Sequence, residues 1–178
     1  GTTSNIADNV LVYSTLNLDS FGVLNALNGG LYIRGATGVV NLNANDVHDP
    51  ASAEFDFILI ADDRAGVATL DMNTFNLTAP RVDLGQRPDG YEGLIDGTGT
   101  LTVNGASDGI NLYRGTVNAK LASTGSASLD KFSTGTVVLW NDNSGLASTG
   151  ATSVYEGVLE LDYTIDNANP KIRAASAL

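Results

Sequence analysis

The sequence contains no cysteine. That absence excludes disulfide cross-links and any zinc or redox site built on thiolates. It leaves the compartment open and is compatible with a bacterial exported protein. Histidine is nearly missing too, with His48 the single one. With one imidazole and no G-x-S-x-G segment, the chain offers no nucleophilic triad. Basic residues are scarce: 9 Lys and Arg stand against 20 Asp and Glu, a net charge of -11. Phosphate backbones are gripped by a surplus of Lys and Arg, so nucleic acid is not an expected partner. An anionic lipid surface is disfavoured for the same reason. No apolar run reaches the roughly 18 residues of a spanning helix, so no transmembrane helix is expected. The chain opens Gly1-Thr2-Thr3 without Met or a signal segment, which reads as a mature product or an excised piece.

Charged residues make up only 16% of the chain, where about 25% is usual. Hydrophobic residues are 43%, and there are 20 glycines. The polar surface therefore falls to Asn, Thr, Ser and Asp, which suit strands and tight turns. A length of 178 residues is enough for one domain with a sizeable core, and no linker divides it. The whole chain, 1–178, is expected to be that single domain.

What the sequence does hold is a series of short apolar beads. The clearest run from Phe132 to Tyr163: Gly135-Thr136-Val137-Val138-Leu139, then Ala151-Thr152-Ser153-Val154, then Gly157-Val158-Leu159-Glu160-Leu161. Gly, Ser, Asn or Thr separates each from the next. Short strands with turn signals between them mean an all-β chain. Upstream the same apolar, polar, apolar triplet recurs in Leu70-Asp71-Met72, Phe75-Asn76-Leu77, Val82-Asp83-Leu84, Leu101-Thr102-Val103 and Ile110-Asn111-Leu112. In a strand, two such side chains point in and the middle one points out. Phe55 to Ile60, FDFILI, reads as a strand buried on both faces at its end, with a short helix as the alternative. No stretch carries a sustained helical stripe. The polar segment 43–53 is the candidate excursion from the body, and 166–178 a candidate tail. Leu139 and Leu161, 22 positions apart, occupy equivalent bead ends. Roughly seven to nine coils of about twenty residues would satisfy this spacing.

Residues Gly135 to Leu139 followed by Gly150 to Leu161 resemble the autotransporter-associated β-strand repeat, whose pattern runs roughly G-x-L-x-L, a polar stretch, then V-x-x-G-x-L-x-L. Gly97-Thr98-Gly99-Thr100-Leu101-Thr102-Val103 with Gly115-Thr116-Val117 behind it is a fainter copy. The likeness covers about residues 93–163 and continues upstream only in texture. The family's aromatic segment is replaced here by Ser144 to Gly150. The resemblance implies a right-handed parallel β-helix on a large exported bacterial surface protein, and it brings no catalytic residue with it.

Chemistry-bearing constellations are few. Asp56, Asp62, Asp63 and Asp71 bring carboxylates together in sequence, and paired carboxylates can cleave glycosidic bonds. Turn residues and outward strand positions account for them more simply. His48 lies in Asp46-Val47-His48-Asp49, which is either a metal or acid/base cluster or a solvated loop. Asn141, Asp142 and Asn143, followed by Ser144-Gly145, place oxygen ligands close together as in a calcium loop, without its terminal acid. They equally form an ordinary turn. Calcium is thus the one cofactor the sequence hints at. Tyr13, Tyr32, Tyr91, Tyr113, Tyr155 and Trp140 form either a sugar-stacking stripe or packing plugs.

The expectation is an all-β, right-handed parallel β-helix (a β-solenoid) without enzymatic activity. It would serve as an extracellular or cell-surface building block of a fibre, filament or adhesin stalk, stacking end to end. Contact with a cell-surface glycan or host surface would be its other partnership. A carbohydrate-binding module is the second reading, and a polysaccharide-degrading β-helix the third.

Overall fold

The computed structural model describes residues 9–22, 24, 29–47, 55–61, 66–85, 91–105, 109–124, 126–141 and 150–164. They contain seventeen strands and no α-helix. In chain order these are β1 (Val10–Val12), β2 (Thr15–Leu18), β3 (Gly29–Ile33), β4 (Val39–Leu42), β5 (Phe55–Ile60) and β6 (Gly66–Asp71). Then come β7 (Leu77–Ala79), β8 (Val82–Leu84), β9 (Tyr91–Asp96), β10 (Thr100–Val103), β11 (Ile110–Leu112) and β12 (Gly115–Val117). The last five are β13 (Lys120–Ser123), β14 (Leu129–Lys131), β15 (Thr136–Leu139), β16 (Thr152–Val154) and β17 (Val158–Leu161).

Every pairing is parallel. Strands β1-β3-β5-β8-β11-β14-β16 form one seven-stranded wall, and β2-β4-β6-β9-β12-β15-β17 form another. A third wall, β7-β10-β13, closes the middle rungs. Successive strands of the chain visit successive walls, so the chain coils and each turn lies on the last. This is the parallel β-solenoid expected from the triplets.

The triplet rule explains why. Along the second wall, Leu16, Val40, Leu70, Ile95, Val117, Leu139 and Leu161 stand on one another in register. Along the first wall, Val10, Leu31, Ile58, Val82, Ile110, Leu129 and Thr152 do the same. Leu77, Leu101 and Leu121 make the corresponding column of the third. Nearly all of these are buried. Each fully buried aliphatic side chain contributes on the order of 2 kcal/mol. Neighbouring strands in the ladder satisfy each other's backbone groups, so polar main chain runs through the core without penalty.

The corners are sharp. At the bend between the first and second walls, Gly35, Ala61, Gly85, Ser133 and Gly157 all have φ between 65° and 76°. Gly115 has φ 137°, and a Cβ there would lie 1.9 Å from the Gly93 carbonyl oxygen. Only glycine fits that position.

Three stretches flagged in the sequence take definite forms. FDFILI is a strand with Ile58, Leu59 and Ile60 all buried, so both faces are covered at its end. The helix alternative for it is thereby removed. Leu121 to Leu129, the nearest the sequence comes to a helix and broken by Thr124-Gly125-Ser126, instead supplies one strand of the third wall and the start of β14. Segment 43–53 begins inside the body: Asn43 N donates to Leu18 O, Asp46 N to Asn76 O, and Val47 is buried. Its remainder, 48–53, and the tail 166–178 lie outside the described residues.

Candidate functional site

Four features could build a site, three on the outer faces and one inside the coil. The first is a shallow groove of about 210 Å³ on the second wall, lined by Glu92, Arg114, Gly115, Thr116, Thr136 and Val138. Three stacked rungs form it. Arg114 bends toward the preceding rung, where its Nε lies 3.1 Å from Glu92 Oε1. The threonine hydroxyls of Thr116 and Thr136 sit one rung apart along the same floor. Both members of the ion pair are partly exposed, so the pair orients the guanidinium more than it stabilises the fold.

The second is a set of side-chain amide ladders. Asn41 Nδ2 donates to Asn17 Oδ1 at 2.8 Å, and Asn43 Nδ2 to Asp19 Oδ1 at 2.7 Å. Asn111 Nδ2 donates to Asp83 Oδ1 at 2.7 Å, and Asn118 Nδ2 to Asp96 Oδ1 at 2.9 Å. In all four the amide belongs to the later rung and the oxygen to the earlier one. Asp83 points outward, as its place between Val82 and Leu84 demands, yet it is only 3% exposed. Arg81, two residues earlier on the same face, forms an ion pair with it, with Nε 3.0 Å from Oδ1. A buried carboxylate needs that many partners.

The third is an aromatic column. Tyr113 and Phe132 stack with centroids 5.5 Å apart, and Phe132 and Tyr155 at 5.0 Å with planes 7° apart. These residues follow β11, β14 and β16 directly, so the wall's register places them over one another. The stack takes up both faces of Phe132 and one face each of Tyr113 and Tyr155, which differs from an open sugar-stacking stripe. Tyr32 instead meets Phe57 edge to face and lies under the Arg34 guanidinium. Tyr91 packs against the core. The six aromatic residues singled out in the sequence therefore do not share one row.

The fourth feature is Lys131. Its register partner on one side is Leu112 and on the other Val154, in the column Val12, Ile33, Ile60, Leu84. It is fully buried and faces inward. The Nζ donates to the carbonyls of Phe132, Ser133 (2.8 Å) and Glu156 (3.2 Å). Two successive corners are thus tied by one amine. Burial pushes the Lys131 amine below its ordinary range, and the nearby Glu156 charge offsets part of that. The sequence reads Leu-Asp-Lys, and nothing in it marks the last residue as inward except the register.

Comparison with protein-family models, with curated proteins and with solved structures finds no match.

The residues proposed from sequence are placed as follows. Asn141 donates through Nδ2 to Asn118 O at 2.8 Å, a bond that seats the corner on the rung below. Asp142 and Asn143, its companions in the calcium reading, lie outside the described residues, as do His48, Asp49, Asp62 and Asp63. Asp71 accepts from Asn73 N and stands in register between Asn41 and Asp96 on the second wall. Among the described residues, no group of three His, Cys, Asp or Glu side chains is close enough to hold a metal ion. No helix of the described residues is long and apolar enough to cross a membrane. Lys131 and the Glu92–Arg114 groove were missed by sequence reasoning. A strict column alignment of the beads would have found both.

Proposed function

We propose that this chain is a structural scaffold: a rod-like segment of an extracellular or cell-surface assembly of bacterial origin. The observation that supports it is the persistence of the columns. The same inward positions stack through seven strands of two walls, so the described residues are largely committed to extending one axis. In solenoids each repeat contacts only its neighbours, and the product is length and stiffness. The resemblance of residues 93–163 to autotransporter-associated repeats favours the same role and the same side of the membrane. The reading is tested by electron microscopy and immunolabelling of native material. Rods or filaments at the cell surface are expected. Isolated particles inside the cell would overturn it.

The groove over Gly115 favours a second reading, a carbohydrate-binding surface. Hydroxyls at Thr116 and Thr136 beside an oriented guanidinium offer donors and acceptors to a sugar ring. A glycan array with the Thr136→Val variant as control separates this from the scaffold reading. Binding that survives the substitution would place any sugar contact elsewhere.

A further inference from the structure

The two ends of the coil differ, and the difference has a direction. The last rung is β16 with β17, and each lies at the edge of its wall. Val154 there is 46% exposed, although every residue below it in its column is buried, and Tyr155 is 66% exposed above a half-buried Phe132. The first rung is β1 with β2, at the opposite edges. Its Tyr13 is 44% exposed, while Val12 and Leu18 are already buried.

The columns that run out at the last rung begin at the first with matching chemistry. Tyr155 ends the aromatic stack. Tyr13 opens the same column, one residue beyond Val12 just as Tyr155 is one beyond Val154. Leu161 ends the inward column that Leu16 opens. Asp162 follows Leu161, and Asn17 follows Leu16, so these two share the ladder column of Asn41, Asp71 and Asp96. In each side-chain amide bond of these ladders the later rung donates and the earlier rung accepts. Among the described residues this column therefore opens with an amide donor, Asn17, and closes with a carboxylate acceptor, Asp162. Asp162 Oδ1 already takes the Thr164 N–H at 2.8 Å. Asp71 takes the Asn73 N–H in the same way in the middle of the stack, so that turn is compatible with a rung above it. A carboxylate has two oxygens and about four lone-pair sites, so it accepts from several donors at once.

We propose that the last rung receives the first rung of a second copy of this chain, head to tail, in the register that continues the columns. Tyr155 then stacks on Tyr13, Leu161 on Leu16, and Asp162 accepts from Asn17. The proposal rests on the scaffold reading and specifies its contact. Such a contact is heterologous, so it propagates along the axis instead of closing. An exposed strand edge supplies the backbone template for it.

Sedimentation velocity on the purified full chain tests the contact. For the unsubstituted protein, mass should rise with concentration toward long species. Tyr13→Lys and Tyr155→Lys variants, each alone, should associate at least tenfold more weakly, because every contact in either sample lacks one partner. Mixed in equal amounts they should form a heterodimer and nothing larger, since one intact contact remains per pair. Asn17→Asp should also weaken association by setting two carboxylates together, and the Asn17→Asp/Asp162→Asn double variant should recover it. Circular dichroism keeps unfolded variants out of the comparison. A chain that stays monomeric at high concentration overturns the proposal, as does a mixture that grows beyond dimers. If native rods exist while the purified chain is monomeric, the scaffold reading stands and only this contact falls.

Discussion

The later half of the second wall and its earlier half obey the same column rule at different chain costs. From β9 onward the register partners Gly93, Gly115, Val137 and Leu159 are each 22 residues apart. Before that, Leu16, Val40, Leu70 and Ile95 are separated by 24, 30 and 25. Side chains meet equally well in both halves. The conserved quantity of the coil is therefore the vertical register, and the corners absorb surplus chain. Loop closure penalties grow only slowly with length, which is why a coil tolerates the extra residues.

The comparison is broken most forcefully through the core. Leu139→Ala in the regular half and Leu70→Ala in the irregular half should each cost about 2–5 kcal/mol in urea unfolding, because both are fully buried in the same column. A much smaller loss at Leu70 would mean that the irregular coils pack less tightly than their register implies. Corner strain is the next lever. Gly115→Ala in the regular half must hold φ near 137° and push against Gly93 O, at a cost of about 2 kcal/mol or more. Ala61→Gly in the irregular half relieves a positive φ of 65° and should be close to neutral or stabilising. The thermal midpoints of the two variants should move in opposite directions, or the second not at all.

The aromatic column belongs to the regular half alone. Phe132→Ala removes two ring contacts and should cost about 1–3 kcal/mol. Truncating Tyr32, which has one edge-to-face ring partner in Phe57 and the Arg34 guanidinium over its face, should cost less by the same assay. Lys131 gives the regular half a pH dependence that the aliphatic columns upstream lack. Its folded amine releases a proton more readily than the unfolded one, so the unfolded state binds more protons between the lowered value and 10.5. Its contribution to stability should therefore rise with pH across that alkaline window and be absent from the Lys131→Met variant. Chemical denaturation at several alkaline pH values measures the slope, and a falling wild-type contribution would contradict the assignment. The smallest effect concerns Glu92 and Arg114. A double-mutant cycle should give about 0.2–1 kcal/mol, since both groups are partly in water. At Arg81, removal strands the buried Asp83 carboxylate, so Arg81→Ala should exceed it clearly.

These contrasts indicate which parts of the fold were readable in advance. Leu139 and Leu161 were paired from spacing alone, and they are register partners. The apolar, polar, apolar triplets placed Asp71 and Asp83 outward, because strand alternation is local and needs no knowledge of the partner. The near-complete burial of Asp83 was not readable, since it depends on Arg81 and on Asn111 from the next rung. Lys131 was hidden for the same reason: a lysine after Leu-Asp looks like a solvated strand end. Phe132 was counted with no bead, and it joins Tyr113 and Tyr155 only once the wall's register is known. Groove residues Glu92, Arg114 and Thr136 come from three coils, and no local pattern brings them together.

The ladders also decide how the molecule meets a pulling force. Interstrand hydrogen bonds in a coil lie along its axis, so tension applied between the first and last rungs loads them one rung at a time. Such an object unzips instead of shearing. In the regular half each event would free 22 residues, and at about 3.5 Å per residue that is on the order of 8 nm of extended chain. A force trace should therefore show low, evenly spaced steps from that half and longer ones from the coils upstream. Lys131, which ties two corners through one amine, would raise the step at which the outermost rung leaves.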